Sequence, residues 1–340
     1  MTTVQQPPTL TFGVGSPPKD ERDAAALFEA VYAHGIKKLD TARSYPGSEE
    51  LIGSLGLTDR FVISTKAPGS APGAGKKEAV LQHARESFEA LGVSKVDTYM
   101  LHAPDPTTPL SETVDAIQEL HKEGRFTNFG LSNFSATQVQ EIYDLSKSTP
   151  GGVLPSVYQG QYNLLCRSSE TDLLPLLRSL NIKFQAYSPL CGGLFVKEPS
   201  YITQPPTDGT AGRWATTFWY GGLAQRVFNK PSIVRFLEEL DQLALDISMS
   251  ATGVSGPSTT EVKVVKMSLA YRWAMFHSHL DGAMGDEVVF ASNRAEQVDE
   301  TMREVGKGKL EEWVEERLEE MWERVRAESP PHDYLAYGLQ

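Results

Sequence analysis

An apolar run gives way to polar side chains within Lys38-Leu39-Asp40-Thr41-Ala42-Arg43-Ser44-Tyr45. The same change recurs in Ser64-Thr65-Lys66 and in Tyr99-Met100-Leu101-His102. Short runs rich in apolar and β-branched residues that end in this way are typical of buried strands. In an α/β barrel the chemistry lies at the carboxyl ends of the strands, because apolar side chains fill the interior and only that rim is open. The three stretches therefore predict a barrel with ionisable side chains at successive strand exits.

Strand and helix patterns alternate along the chain. Runs with strand character cover residues 36–42, 60–67, 96–102, 126–133, 156–163, 182–190 and 287–292, with a weaker eighth run at 303–309. Apolar residues at helical spacing cover 20–34, 48–55, 76–91, 110–123, 135–147, 170–180, 232–247 and 258–277. Such alternation indicates a parallel sheet with right-handed crossovers. Seven clear strands and a weak eighth favour a closed (β/α)8 TIM barrel, as a single domain over residues 1–340.

Three segments fall outside this alternation. Residues 10–15 are apolar and contain two glycines, but Ser16-Pro17-Pro18 follows where a dinucleotide fingerprint needs a third glycine and a helix. Residues 195–230 lack a clear period yet are rich in aromatic side chains, which predicts a long lid loop instead of a disordered segment. Residues 310–325, with Trp313 among the apolar positions, predict an amphipathic C-terminal helix that packs on the barrel, with a dimer contact as the alternative.

Size and charge limit the class of protein. The chain has 340 residues, 40% of them hydrophobic, and no apolar run approaches the ~18 residues that span a bilayer. Two cysteines cannot form a disulfide framework, and the N-terminus lacks a secretory pattern, so we expect a cytoplasmic protein. A formal charge of −12 disfavours nucleic acid and anionic membranes as partners, because both need clustered Lys and Arg. The expected partner is a small molecule or another protein, and no metal site is predicted.

Four ionisable side chains at the predicted strand exits form a coherent chemical group: Asp40, Tyr45, Lys66 and His102. A phenol is a weak acid at neutral pH unless a nearby cation stabilises its anion, and Lys66 supplies such a cation for Tyr45. A lysine in a buried strand needs a countercharge, which Asp40 supplies. His102 adds a neutral N–H that can polarise a carbonyl oxygen. Each residue alone suggests packing, an ion pair or a turn, whereas the four together predict a proton donor.

The order of these motifs resembles the aldo-keto reductases, whose catalytic tetrad consists of Asp, Tyr, Lys and His. Further segments resemble the branch of aflatoxin-aldehyde and succinic semialdehyde reductases: Leu101 to Asp105, Val157 to Asn163, Arg272 to Ser278, Leu280 to Ala283 and Gly285-Asp286. The match covers essentially the whole chain from about Leu10. The resemblance implies that the four residues above form the tetrad, that NADPH is the cofactor and that the protein is a homodimer.

The resemblance also implies which strand exits hold the nicotinamide end of the cofactor. The residues that match the family's binders of the nicotinamide amide are Ser132, Asn133 and Gln159. Tyr187 matches the aromatic residue that stacks on the nicotinamide ring. The loop that follows the pyrophosphate is represented by Ser188 and Leu190.

The adenine end is assigned in the same way to the turn between the last clear strand and its helix. Asn293 and Arg294 match the residues that bind the 2′-phosphate of NADPH. Glu296 or Glu300 is expected to face the adenine. Thr301 departs from the family, which commonly has Asn there, and this departure puts the adenine contact in question.

The implied function is NADPH-dependent reduction of an aldehyde or ketone to an alcohol by hydride transfer, with Tyr45 as the general acid. In the lid, Arg213 matches an arginine that meets a substrate carboxylate, and Trp214 is its neighbour. Three alternatives stay open: a specialised biosynthetic reductase, a non-redox isomerase that uses the same acid, and a non-catalytic NADPH-binding subunit like the β subunits of potassium channels. Loss of NADPH absorbance coupled to turnover separates them.

Overall fold

Eight parallel strands close into a barrel in chain order in the computed structural model, which describes residues 5–205, 214, 219–252 and 256–332. The strands are β1 (Thr9–Gly13), β2 (Lys38–Asp40), β3 (Val62–Ala67), β4 (Val96–Leu101), β5 (Phe126–Ser132), β6 (Pro155–Gln161), β7 (Lys183–Tyr187) and β8 (Glu287–Phe290). The last strand pairs with the first, with Thr9 opposite Glu287. The predicted (β/α)8 TIM barrel is confirmed.

Helices surround this barrel. In the described part of the chain they are α1 (Glu21–Ala33), α2 (Ser48–Ser54), α3 (Lys77–Leu91), α4 (Leu110–Lys122), α5 (Ala136–Ser148), α6 (Leu173–Ser179), α7 (Ser200–Thr203), α8 (Trp219–Phe228), α9 (Pro231–Thr252), α10 (Thr259–Phe276), α11 (Ala295–Val305) and α12 (Glu312–Val325). Both α5 and α10 begin at a capping box, in which Ser135 and Ser258 exchange hydrogen bonds with the third residue of the helix. None of the described helices combines the length and the apolar character that a bilayer crossing requires.

The weak eighth strand predicted at residues 303–309 is wrong. Residues 303–305 are the end of the helix α11. The buried residues Val298, Thr301 and Val305 of this helix recur at a spacing of three to four. The eighth strand is β1, near the start of the chain, which pairs with both β8 and β2. Its five residues precede the alternation of strands and helices, so the sequence pattern did not count it.

The predicted lid loop at residues 195–230 is partly helical. Both α7 and α8 lie within it, and two adjacent glycines, Gly221 and Gly222, interrupt the apolar spacing by which α8 would have been found. Trp214 is buried, and its indole N–H donates to the carbonyl oxygen of Gly192 at 2.9 Å. This bond ties the lid to the segment that follows β7.

The predicted C-terminal helix is present as α12. Its apolar side packs inward through Val314, Leu318, Met321, Trp322 and Val325. Trp313 was expected on that side, but its position is one residue out of phase with Val314, and 52% of its surface is exposed.

A close approach between α2 and α3 fixes the helix that follows the Tyr45 loop. A Cβ atom on Gly53 would lie 2.2 Å from the carbonyl oxygen of Ala90 and 3.1 Å from the carbonyl carbon of Leu91. These neighbours are backbone atoms, which cannot rotate away as a side chain can. Only a glycine fits at this crossing without moving one helix.

We expect Gly53→Ala to lower the free energy of unfolding by about 1–3 kcal/mol, because the added methyl group forces the two helices apart. In an ordinary helix the same change stabilises by about 0.5–1 kcal/mol, so the sign of the effect is informative. Gly222→Ala in α8 is the matched control, since no described atom lies within 4 Å of the added Cβ. Urea unfolding of both variants measures the difference, and equal effects would contradict the close approach.

Candidate active site

The strand exits predicted to carry chemistry converge on one cleft of 440 Å³ at the carboxyl end of the barrel. Asp40 ends β2, Tyr45 lies in the loop that follows it, and His102 follows β4, and all three line the cleft. Lys66 lies in β3 directly beneath them and is fully buried. The structure thus brings the four predicted catalytic residues together.

Lys66 and Asp40 form a buried ion pair. The ammonium of Lys66 donates to Oδ2 of Asp40 at 2.6 Å and to the carbonyl oxygen of Thr41 at 2.8 Å. Burial lowers the pKa of Lys66, whereas the charge of Asp40 and its hydrogen bond oppose that shift. The pair places a cation 5.5 Å from the centre of the Tyr45 ring.

His102 also contacts Tyr45. Its Nε2 lies 3.5 Å from the Tyr45 hydroxyl, and the two rings meet edge to face at 5.5 Å. Burial and the nearby charge of Lys66 lower the pKa of His102 to about 3, so the imidazole is neutral at physiological pH. A neutral imidazole has one donor and one acceptor nitrogen, and Nδ1 lies 3.1 Å from the hydroxyl of Ser44.

The loop that carries Tyr45 is anchored by a buried carboxylate that sequence reasoning missed. Glu49 lies in the first turn of α2, where the sequence pattern does not indicate a buried partner. In the structure Glu49 is buried, pairs with Arg43 at 2.7 Å and accepts a hydrogen bond from Thr65. Ser48 fixes the other side of the loop through bonds to Thr41 and to the carbonyl oxygen of Val14.

The predicted binders of the nicotinamide end line the same cleft: Ser132, Asn133, Gln159, Tyr187, Ser188 and Leu190. Asn133 connects two strand exits, because its Nδ2 donates to the carbonyl oxygen of His102 at 2.9 Å and its Oδ1 accepts from the Tyr187 hydroxyl at 2.8 Å. Asn133 and Ser188 both have left-handed backbone, with φ of 63° and 56°. Two non-glycine residues in this conformation at one cleft indicate sharp, fixed turns where the strands end.

The adenine end is only partly as predicted. Asn293 lines the cleft, and Arg294 is the exposed N-cap residue of α11. Glu296 is exposed and does not line the cleft. Gln297 lines it instead, one residue further along, and its Oε1 accepts from the Ser292 hydroxyl at 3.0 Å. The start of α11 at Ala295 decides this, because it turns position 297 and not 296 toward the cleft.

The remaining predictions concern Arg213, Trp214, Thr301 and the segment at residues 10–15. Arg213 lies outside the described residues. Trp214 contacts the wall of the cleft through Gly192 but is not itself a lining residue. Thr301 is buried beside Met267 and is not a lining residue. Gly13 and Gly15, from the segment rejected as a dinucleotide fingerprint, line the cleft, with Gly15 against the Tyr45 ring.

Comparison with known proteins agrees with these observations. A family model described as the aldo/keto reductase family matches residues 9–323. The oxidoreductase sirO of Leptosphaeria maculans is 40% identical over 299 residues, which cover 87% of this chain and 84% of that protein. Aflatoxin B1 aldehyde reductase member 2 of Rattus norvegicus is 37% identical over 322 residues, with coverage of 92% and 83%. Member 4 from Homo sapiens is 35% identical over 320 residues, with 92% of each chain covered. The resemblance predicted from the motifs is confirmed.

We expect Lys66→Met to lower the free energy of unfolding by about 3–5 kcal/mol, because it leaves the carboxylate of Asp40 buried without its countercharge. The double variant Asp40→Asn/Lys66→Met should recover most of that loss, since no lone charge remains. Arg317→Met, which removes one partner of an exposed pair on α12, is the control and should change stability little. Chemical denaturation of the four proteins tests the pair; a double variant no more stable than Lys66→Met would contradict it.

Proposed function

Because the chain belongs to the aldo/keto reductase family, we propose that it reduces an aldehyde or ketone to an alcohol with NADPH, and that Tyr45 is the general acid. The family assigns an oxidoreductase that acts on carbonyl compounds. The observation that carries the finer proposal is that Tyr45, which lines the cleft, lies close to both the buried Lys66 and the neutral His102.

The cleft has the polar groups that a nicotinamide cofactor needs. Near the tetrad, Ser132, Asn133 and Gln159 offer hydroxyl and amide groups to a carboxamide, and Tyr187 offers an aromatic ring. The Gln159 side chain uses Nε2 for two protein partners and keeps Oε1 without a partner among the described residues. A carboxamide N–H is a suitable donor to that oxygen. When bound, the cofactor supplies a hydride to the substrate carbon.

The other end of the cleft suits an anion. Asn293 lines it, and Arg294 stands at the N-terminus of α11, where unpaired backbone N–H groups and the helix dipole favour negative charge. No described residue forms an ion pair or hydrogen bond with the guanidinium of Arg294. An exposed arginine without a carboxylate partner is available to a phosphate, for which its planar fork is well matched.

The tetrad residues divide the work of proton transfer. The Tyr45 hydroxyl gives its proton to the carbonyl oxygen as negative charge develops there, and the ammonium of Lys66 stabilises the phenolate left behind. Asp40 holds Lys66 in its charged form within a buried site. His102, neutral at physiological pH, donates one N–H to the carbonyl oxygen and so orients the substrate against Tyr45.

The proposal extends to the substrate class, the cellular location and the oligomeric state of the protein. Two relatives are called aflatoxin B1 aldehyde reductases, which favours an aldehyde as the substrate. Cys166 and Cys191 are both free and buried, which suits the reducing cytoplasm. A homodimer is the assembly implied by the resemblance to that branch.

We expect Tyr45→Phe to lower kcat by about 10²–10⁴-fold, because general acid catalysis is worth that much, while the affinity for NADPH changes little. The phenyl ring keeps the packing against Gly15 and His102. Tyr32→Phe, on α1 and next to the ring of Phe61, is the matched control and should retain full turnover. Steady-state NADPH oxidation with a panel of aldehydes, ketones and diketones measures the effect, and near wild-type turnover in Tyr45→Phe would remove Tyr45 from the proposed role.

We expect Arg294→Ala to weaken NADPH binding by roughly tenfold to hundredfold and to leave NADH binding nearly unchanged, because only NADPH carries the 2′-phosphate and a charge-assisted hydrogen bond contributes about 1.5–3 kcal/mol. Arg303→Ala is the matched control on the same helix, since that side chain already faces Glu300 and Glu304. Fluorescence titration with both cofactors decides the matter. If the two affinities fall together, or if Arg303→Ala has the same effect, Arg294 does not read the phosphate.

A further inference from the structure

A chain of polar side chains crosses the interior of the barrel from Asp40 to its opposite end. The Nε2 group of Gln159 donates to Oδ1 of Asp40 at 2.9 Å and to Oε1 of Gln185 at 3.1 Å. Gln185 in turn donates from its own Nε2 to Oε2 of Glu287 at 3.0 Å. All four side chains are buried. We refer to Asp40, Gln159, Gln185 and Glu287 as the amide relay.

Glu287 is held in place at the amino end of the strands. It is the first residue of β8, and it accepts hydrogen bonds from Thr11 at 2.6 Å, from Lys183 at 3.2 Å and from Lys38. Burial by itself raises the pKa of Glu287, but the two lysines and Thr11 more than offset this and lower it below the ordinary value. Glu287 is therefore an ionised carboxylate at physiological pH.

Two carboxylates fix the orientation of both amides between them. An ionised carboxylate can only accept, so Gln185 must turn its NH₂ group toward Glu287 and its oxygen toward Gln159. Gln159 must then turn its NH₂ group toward Gln185, which is also the group that Asp40 requires. The oxygen of Gln159 is the one polar atom of this side chain left for the cleft. The orientation at the cleft is thus set from both ends of the relay.

We propose that Gln185 and Glu287 are positioning residues, which fix the Gln159 carboxamide so that it donates to Asp40 and presents its oxygen to a ligand N–H in the cleft. Neither residue touches the cleft, and each acts through Gln159. The identity of the ligand, the carboxamide of the nicotinamide, rests on the proposed function above. The orientation of Gln159 does not.

The composition of the barrel interior supports a functional role. Apolar side chains ordinarily fill these layers, and burying two carboxamides and a carboxylate costs free energy unless every group is paired. Apolar residues of similar volume would stabilise the barrel as well or better. A polar relay that is connected from end to end therefore points to selection for orientation at the cleft and not for stability.

The decisive variant is Glu287→Gln, which keeps the shape but removes the charge that sets the direction of the relay. Lys38 and Lys183 hold the oxygen of the new amide, so its NH₂ group faces the NH₂ group of Gln185. Gln185 either turns over and gives up its bond with Gln159, or loses its bond to residue 287 and is free to rotate, so Gln159 is no longer fixed from this end of the relay. The double variant Gln185→Glu/Glu287→Gln exchanges the amide and the carboxylate, and it again offers Gln159 an acceptor only. Thr11→Val is the control, because it removes a bond to the same carboxylate outside the relay.

The first measurement needs no ligand. Side-chain ¹⁵N–¹H signals of Gln159, assigned by their loss in Gln159→Leu, report solvent exchange of its NH₂ protons. We expect slow exchange in the wild type, in Thr11→Val and in the double variant, and faster exchange in Glu287→Gln. Gln185→Met removes the bond between Gln185 and Gln159 directly and should give the same exchange as Glu287→Gln. It serves as the test variant if Glu287→Gln does not fold. Exchange at Gln159 that is the same in all folded variants overturns the proposal.

The second measurement is NADPH affinity by fluorescence titration. We expect Glu287→Gln to weaken binding by about twofold to tenfold, the effect of one neutral hydrogen bond, and the double variant to restore it even where its melting temperature stays low. A merely structural role predicts that affinity follows stability, so a double variant that binds no better than Glu287→Gln counts against the proposal. If the wild type binds no NADPH, the proposed function fails, and the exchange measurement alone decides the relay.

Discussion

A lysine with no exposed surface can stay charged only if the protein replaces the water that it has lost. In this barrel Lys66 finds that replacement in Asp40 and in the carbonyl oxygen of Thr41. Both acceptors lie on the neighbouring strand exit, because β2 and β3 are paired in a register that sets Asp40 beside Ser64. The parallel pairing of two short strands thus places the Lys66 ammonium near Tyr45. The loop anchored by Glu49 positions the phenol next to that ammonium. Loss of the ion pair would change the electrostatic potential at Tyr45 and His102.

The acidic net charge of the chain disfavours an anionic ligand only when it is considered alone. Charges at the surface are screened over about 8–10 Å at physiological ionic strength, so groups within the cleft decide what it attracts. At one end the cleft meets the start of α11, with the exposed Arg294 next to the lining residue Asn293, and at the other end it is lined by amides and hydroxyls. The cleft is therefore graded from a cationic end to a neutral end, which suits a ligand with phosphates on one side and a carboxamide on the other.

The sequence was informative where polar residues interrupt apolar runs and uninformative where polar residues lie inside strands. Asp40, Tyr45, Lys66 and His102 could be found because strand exits in a barrel all face one rim. Gln185 and Glu287 could not, since a strand pattern does not tell which residue of the neighbouring strand a polar side chain will meet. β1 was missed because five residues before the first helix carry little pattern. The sequence pointed to Glu296, whereas Gln297 lines the cleft. Which of the two faces the cleft depends on the residue at which α11 begins, because a shift of one residue turns a side chain by about 100° around the helix.

The pairing of β1 with β8 has a consequence for the order in which the protein folds. Thr11 and Glu287 share a hydrogen bond although 276 residues separate them in the chain. At synthesis rates of about 5–20 residues per second, Thr11 waits on the order of tens of seconds for its partner. Until then β1 can pair only with β2, and Val289 and Phe290 of β8 are missing from the wall of the cleft. The nascent chain therefore lacks a complete cleft until its last strand has left the ribosome.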